Sequence, residues 1–219
     1  MEIIYLGHSS FRLRGKTATV VTDPFDEKVG LKFPSAAADI ITVSHEHGDH
    51  NAVERVKTTE GRKEPFVIRA PGEYEINGVS VFGNASFHDD KKGAERGNNT
   101  FYVIHIDDLT VVHLGDLGHE LSEKQVERIN GVDVLLVPVG GVYTLDPVQA
   151  KKVISQVEPV IVIPMHYKVK GMEKSFDKLA SVDEFLKEAG LEGATKEEKL
   201  NLQKSTLPEN REVVVLKTK

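Results

Sequence analysis

The sequence predicts a layered α/β sandwich. Short apolar strand segments dominate the first hundred residues, helices alternate with buried strands in the second half, and His and Asp residues cluster where apolar runs end.

The strands follow in order. Residues 2–6 form a strand closed by the turn Gly7-His8-Ser9-Ser10, and residues 11–13 and 18–22 continue a meander around Arg14-Gly15-Lys16. Residues 39–43 are a nearly unbroken β-branched run, as expected of a strand covered on both faces. Further strands are predicted at residues 66–68, 79–82, 101–106 and 109–114, with Asp107-Asp108 as the hairpin turn between the last two. Ser122, three residues before Gln125, opens a helix to about residue 129 through a capping box. Residues 132–137 are a buried strand. Asp146-Pro147 supplies an N-cap and a first-turn proline for a helix whose apolar face is Val148, Ala150, Val153, Ile154 and Val157. Residues 159–163 form another buried strand, and residues 182–189 a helix ended by Gly190. Residues 201–205 and 213–216 are expected to be closing strands, and residues 191–199 an exposed connection.

At 219 residues, 39% hydrophobic and 28% charged, the chain suits one globular domain spanning residues 1–219. It has no cysteine, which excludes disulfides and thiolate metal sites and leaves His and carboxylates to hold any metal. No apolar run reaches the ~20 residues of a membrane-spanning helix. Glu2 stands where a signal peptide carries positive charge, so a cytoplasmic location is expected. The net charge of −6 weighs against nucleic acid as a partner, because phosphate binding relies on a basic surface.

The chemistry is concentrated in Ser44-His45-Glu46-His47-Gly48-Asp49-His50, which holds three of the chain's nine histidines. His45 and His47 are two apart, so in an extended segment both rings can point the same way. Asp49 and His50 lie in the turn that Gly48 permits. The alternative is a polar loop that happens to be His-rich. Three other residues sit at comparable strand exits: His88 after the stretch at 79–87, Asp116 after Leu114-Gly115, and His166 after Pro164-Met165. Imidazole and carboxylate donors together suit zinc first, with manganese or iron as alternatives.

The pattern His45-x-His47-x-Asp49-His50, with the later single His, Asp and His, resembles the metallo-β-lactamase-fold metallohydrolase superfamily. Gly7-His8-Ser9, Thr22-Asp23-Pro24-Phe25, Leu114-Gly115-Asp116 and Ile163-Pro164-Met165-His166-Tyr167 are similar to its small branch that includes sugar-phosphate lactonases. The resemblance implies an αββα four-layer sandwich with its site at one sheet edge. It also implies two divalent metal ions. One is held by His45, His47 and His88, the other by Asp49, His50 and His166, and Asp116 bridges them. Two such ions about 3.5–4 Å apart would lower the pKa of a shared water toward about 7. The resulting hydroxide would attack an ester, lactone or phosphoester in a small anionic substrate, with Asp49 orienting it or receiving its proton.

Other residues are weaker candidates. Lys92 and Arg96, in the glycine-containing loop after His88, could grip a substrate anion, although a solvated charged loop accounts for them equally well. Tyr167 could donate a proton or simply pack. Asp23 and His113 are expected beside the ligands, and His119 less so; turn formation is the alternative for Asp23. His8 could also support the site, although a capping or core hydrogen-bonding histidine accounts for it at least as well. His105 is expected to be structural. Competing functions on the same fold are a metal-dependent nuclease or phosphodiesterase, a di-iron redox protein and a non-catalytic binding protein. The di-iron variant places Glu where this chain has His47 and needs a flavin domain.

Overall fold

A computed structural model describes residues 1–61, 63–191 and 193–218. The chain begins with an antiparallel meander of β1 (Glu2–Gly7), β2 (Ser10–Arg14) and β3 (Thr19–Thr22). It continues through β4 (Ala36–Ala38), β5 (Ile40–Thr42), β6 (Val56–Thr58) and β7 (Phe66–Ile68). A second run comprises β8 (Gly72–Ile76), β9 (Val79–Phe87), β10 (Asn98–Ile106) and β11 (Leu109–His113). After α1 (Glu123–Glu127) come β12 (Val134–Pro138), α2 (Pro147–Val157), β13 (Ile161–Met165), α3 (Val182–Ala189), β14 (Thr195–Glu197), β15 (Leu200–Asn201) and β16 (Glu212–Leu216). Among the described residues these form one sheet in the order β15-β1-β2-β3-β5-β7, a second in the order β14-β16-β13-β12-β11-β10-β9-β8, and a ribbon of β4 and β6.

Strand alternation explains the layering. Ile3, Tyr5, Phe11, Leu13, Val20 and Ile40 turn inward to the core shared with the second sheet. Their neighbours Ile4, Leu6, Val21, Ile41 and Val43 face the other way, onto Ala36, Ala38 and Val56 of the ribbon. This double coverage is why Ile40, Ile41 and Val43 are all buried, on both faces of the strand. The outer cover of the first sheet is therefore a β-ribbon and short 3-10 turns, with α-helix described only from Glu123 onward. Over the second sheet, α2 and α3 pack together and bury Ala150, Val153, Ile154, Phe185 and Leu186. Both helices carry full capping boxes, Asp146 with Gln149 and Ser181 with Glu184. Among the described residues no helix is long and apolar enough to cross a membrane.

Several sequence expectations need correction. Residues 191–199 are not merely a connection: β14 adds a parallel edge strand to β16 although all three of its residues are exposed. It is joined to β16 by its backbone ladder, with no buried side chain, so no apolar pattern marks it; Glu192, in the same stretch, lies outside the described residues. Of residues 201–205, Asn201 alone is in a strand, and Lys204–Thr206 curls into a 3-10 turn. The loop after His88, read from the sequence as residues 89–99, ends earlier, because Asn98 and Asn99 already pair with Phe87 and Ser86. The short strands β4, β6 and β8 were not anticipated.

Candidate metal centre

Strand direction brings the site together. In the first sheet β2 is antiparallel to both β1 and β3, and β3 is parallel to β5, so β1, β3 and β5 run the same way. His8, Asp23 and His45 therefore leave one edge. In the second sheet β9 and β11 are both antiparallel to β10, while β11, β12 and β13 are parallel. His88, Asp116 and His166 leave its matching edge. The two edges are tied directly: His166 N donates to His8 O at 2.8 Å, Thr100 N to Ser44 O at 2.8 Å, and His113 Nε2 to Ser9 O at 2.7 Å.

At the centre lies Asp116, 1% exposed. Its Oδ2 is 3.2 Å from His50 Nε2, 3.3 Å from His88 Nε2 and 3.2 Å from His166 Nε2. The surrounding donor atoms fall into two main groups, each within 4.8 Å internally: His45, His47 and His88, and His8, Asp49, His50 and His166. Asp23, His45 and His50 also satisfy that distance. The structure thus gathers all seven residues named from the sequence as ligands, and adds His8.

The orienting contacts are specific. Asp23 Oδ2 accepts from His50 Nδ1 at 2.8 Å and from Ser44 Oγ at 2.5 Å, and Asp23 Oδ1 accepts from Ser44 N at 2.8 Å. Because the Ser44 hydroxyl gives its proton to Asp23, it accepts from His45 Nδ1, 2.9 Å away. In each imidazole Nδ1 is thereby committed as the donor, which leaves Nε2 aimed at the cluster, where a metal can take the place of a proton. His8 Nε2 donates to Asp49 Oδ2 at 3.2 Å. Asn99 Oδ1 accepts from Asp116 N at 3.0 Å, setting the turn that Gly115 begins. Gly115 has φ 56°, and a Cβ there would lie 2.5 Å from both Asn99 Oδ1 and Ser44 Cβ. His8, Asp23 and His166 also have positive φ (55°, 37° and 51°), a strained state typical of functional positions.

The electrostatics follow from burial among opposite charges. Burial pushes the Asp116 carboxyl up, but His166 and His50 outweigh it and hold it well below the usual range. Burial and the neighbouring His166 lower His8 to about 4, so it is neutral near neutral pH. Burial likewise lowers His45 to about 3. Burial opposes charge on His50, yet Asp116 and Asp49 raise its pKa well above the ordinary value.

A cluster of this kind fits divalent cations. Buried His45 Nε2 and Asp116 Oδ1 have no hydrogen-bond partner among the described residues. A buried polar atom left unpaired costs about 1–3 kcal/mol unless something else binds it. The donors are all imidazole or carboxylate.

The remaining sequence candidates are placed differently. Arg96 lines the cavity of about 230 Å³ over the cluster, together with Tyr143 and Phe176. Lys92 is exposed and is not among the lining residues. Tyr167 is 6% exposed and packs in the core, its ring 6.2 Å from Tyr5, so it does not face the cavity. The positive φ of His166 sends the next residue to the opposite side. His113 touches no ligand side chain; it binds Ser9 O and accepts from Gly115 N at 3.3 Å, fixing two turns of the site. His119 accepts from Phe87 N at 3.2 Å and supports the strand end before His88. His105 contacts Thr110 on the neighbouring strand. The sequence reading missed Ser44, Asn99, Tyr143 and Phe176; only Ser44, beside His45, carried a local signal.

The model of the β-lactamase superfamily domain matches residues 2–166, from the first strand to the last of these ligand candidates. A UPF0173 metal-dependent hydrolase of Staphylothermus marinus is 32% identical over 208 residues, covering 82% of this chain and 91% of its own. A solved structure from Thermotoga maritima, assigned as a Zn-dependent hydrolase of the metallo-β-lactamase superfamily, is 39% identical with TM-score 0.80, covering 100% and 99% of the two chains. The metallo hydrolase Igni18 of Ignicoccus hospitalis, 20% identical with TM-score 0.62 over 88% of this chain and 91% of its own, shares the fold. Strand order, converging ligand candidates and these likenesses agree, and the chain belongs to the metallo-β-lactamase superfamily, among its metal-dependent hydrolases.

Proposed function

We propose that the protein hydrolyses an ester, lactone or phosphoester bond in a small molecule at a centre of two divalent metal ions, zinc first, with manganese or iron as alternatives. The observation that carries this reading is Asp116 Oδ2 within 3.3 Å of three imidazole nitrogens from three different segments. His45, His47 and His88 would hold one ion, Asp49, His50 and His166 the other, with Asp116 shared. Bound there, the ions would supply Lewis acidity and a water ionised near neutral pH.

The chain's own residues prepare that step. Asp23 and Ser44 keep His45 and His50 in the tautomer that offers Nε2. His8, neutral and fully buried, points Asp49 by donating to Oδ2. Burial would raise Asp49, but His50 and His8 hold its carboxyl well below the usual range, so it is an ionised acceptor facing the cavity. Asp49 receives the proton released in hydrolysis and passes it to the departing group. The 230 Å³ cavity is smaller than the ~300–1,000 Å³ of drug-sized sites, which supports a small substrate over a polynucleotide strand.

The test is metal content by mass spectrometry on protein purified without chelator, with a panel of lactones, carboxylic esters and phosphodiesters. His47→Ala is expected to lose metal and turnover together. His47 is exposed, so the chelated variant should melt with the chelated parent. Turnover unchanged in that variant would overturn the assignment.

A further inference from the structure

We propose that Arg96, held against Tyr143, is an oxyanion-recognition subsite, and that the substrate carries a carboxylate or phosphate at the end remote from the scissile bond. The proposal rests on the hydrolase reading of the neighbouring cluster.

The loop that carries Arg96 is tied together by its own hydrogen bonds. The carboxylate of Asp89 accepts four backbone N–H groups, from Lys91 (2.8 Å), Gly93 (2.8 Å), Glu95 (3.0 Å) and Arg96 (2.7 Å). Gly97 N donates to Gly93 O at 3.0 Å, and His88 N to Gly97 O at 3.1 Å, closing the loop at its base. Although the loop contains Gly93 and Gly97, its backbone N–H groups are gathered on the Asp89 carboxylate as a nest.

From that base the guanidinium reaches the cavity and is clamped there. Nη2 donates to Val142 O at 3.0 Å, and the guanidinium carbon lies 5.1 Å from the centre of the Tyr143 ring. Tyr143 is fixed in turn, its hydroxyl donating to Ser175 O at 2.9 Å and its ring set edge-on to Phe176 with centroids 6.1 Å apart. Phe176 then packs 5.3 Å from His8 and 6.5 Å from His166. A wall thus runs from a cation, across two aromatic rings, to the ligand cluster.

The cation at the far end has hydrogen-bonding capacity to spare. Among the described residues its guanidinium has no carboxylate partner, and the Val142 carbonyl takes one of its five N–H donors. A half-exposed arginine serving only to tie two loops would not need to line the cavity. Here it does, in the same cavity as the cluster, and the planar fork matches an oxyanion. A substrate spanning the two places its anion on Arg96, an apolar stretch along Phe176, and its scissile bond at the ligands.

The experiment compares zinc-loaded wild type with Arg96→Gln and Arg96→Lys. Calorimetric titration uses succinate and inorganic phosphate as separate probes. Turnover uses 4-nitrophenyl acetate as the neutral ester, against 4-nitrophenyl hydrogen succinate, whose free carboxylate lies remote from the scissile ester. Arg96→Gln is expected to weaken anion binding, and to raise KM for the anionic ester, by at least about tenfold. The neutral ester should lose much less than the anionic one, and Arg96→Lys should keep part of the affinity. A greater loss for phosphate than for succinate assigns a phosphoryl group; the reverse assigns a carboxylate. Equal anion affinities in wild type and Arg96→Gln, no anion binding by wild type, or a parallel fall for neutral and anionic esters in both variants would overturn the proposal. If wild type cleaves no ester yet the binding contrast holds, the hydrolytic reading fails and the subsite stands.

Discussion

Replacing Asp23 with Asn changes no volume, yet it should disturb both halves of the metal centre. In the wild type the carboxylate accepts three hydrogen bonds, from His50 Nδ1, Ser44 Oγ and Ser44 N, and donates none. An amide has one acceptor and one donor end. With the amide nitrogen toward His50, donor meets donor unless the imidazole moves its proton to Nε2, the atom that must bind metal. The same nitrogen also faces Ser44 Oγ, whose hydroxyl would turn and release the tautomer of His45. With the amide reversed, its nitrogen opposes Ser44 N. Either orientation leaves a buried mismatch of about 1–3 kcal/mol. At this length each kcal/mol lowers Tm by about 2–4 °C. Loss of such an orienting partner typically lowers metal affinity or activity about 10- to 100-fold. The assay is zinc competition against a fluorescent chelator, with a thermal melt of the chelated protein as control. Wild-type zinc affinity in Asp23→Asn would refute the tautomer argument, even if the melt moved as expected.

Two further outcomes follow from other contacts. A Cβ on Gly140 would sit 2.1 Å from His166 O, so Gly140→Ala must displace the backbone that carries a ligand candidate; about 1–3 kcal/mol of stability and most of the metal affinity should be lost, and a variant that still binds zinc normally would contradict the geometry. Asp89 is buried, which raises its pKa, but the backbone N–H groups of Arg96, Gly93, Lys91 and Glu95 lower it to about 2. With the folded value depressed, its contribution is complete above the unfolded value of about 3.9 and disappears as pH falls through about 2. The gap in urea midpoint between wild type and Asp89→Asn should therefore be full at about pH 5 and closed by about pH 2, and a gap independent of pH would exclude the carboxylate as its source.

The fold was readable where chemistry leaves a local mark. The β-branched run at residues 39–43, the capping box at Ser122, the N-cap and first-turn proline at Asp146-Pro147 and the strand-to-loop positions of the ligand candidates all follow from nearest-neighbour physics. Strand β14 was not readable, because an exposed edge strand is held by backbone bonds that every residue can make. The site divided in the same way. His45, His47, Asp49 and His50 announce themselves by spacing, whereas Tyr143 and Phe176 are ordinary aromatic residues until the fold places them over the cluster.

By itself the sequence determined the donor chemistry: no thiol, several imidazoles and carboxylates, and strands that end where those residues begin. Only the tertiary structure decided which partners meet. Strand direction in two separate sheets sets whether His8, Asp116 and His166 face one another, and the backbone turn at His166 sends Tyr167 into the core while Arg96 reaches the cavity. Side-chain identity travels with the residue, but convergence depends on register and handedness across segments more than a hundred residues apart, and no local pattern carries that information.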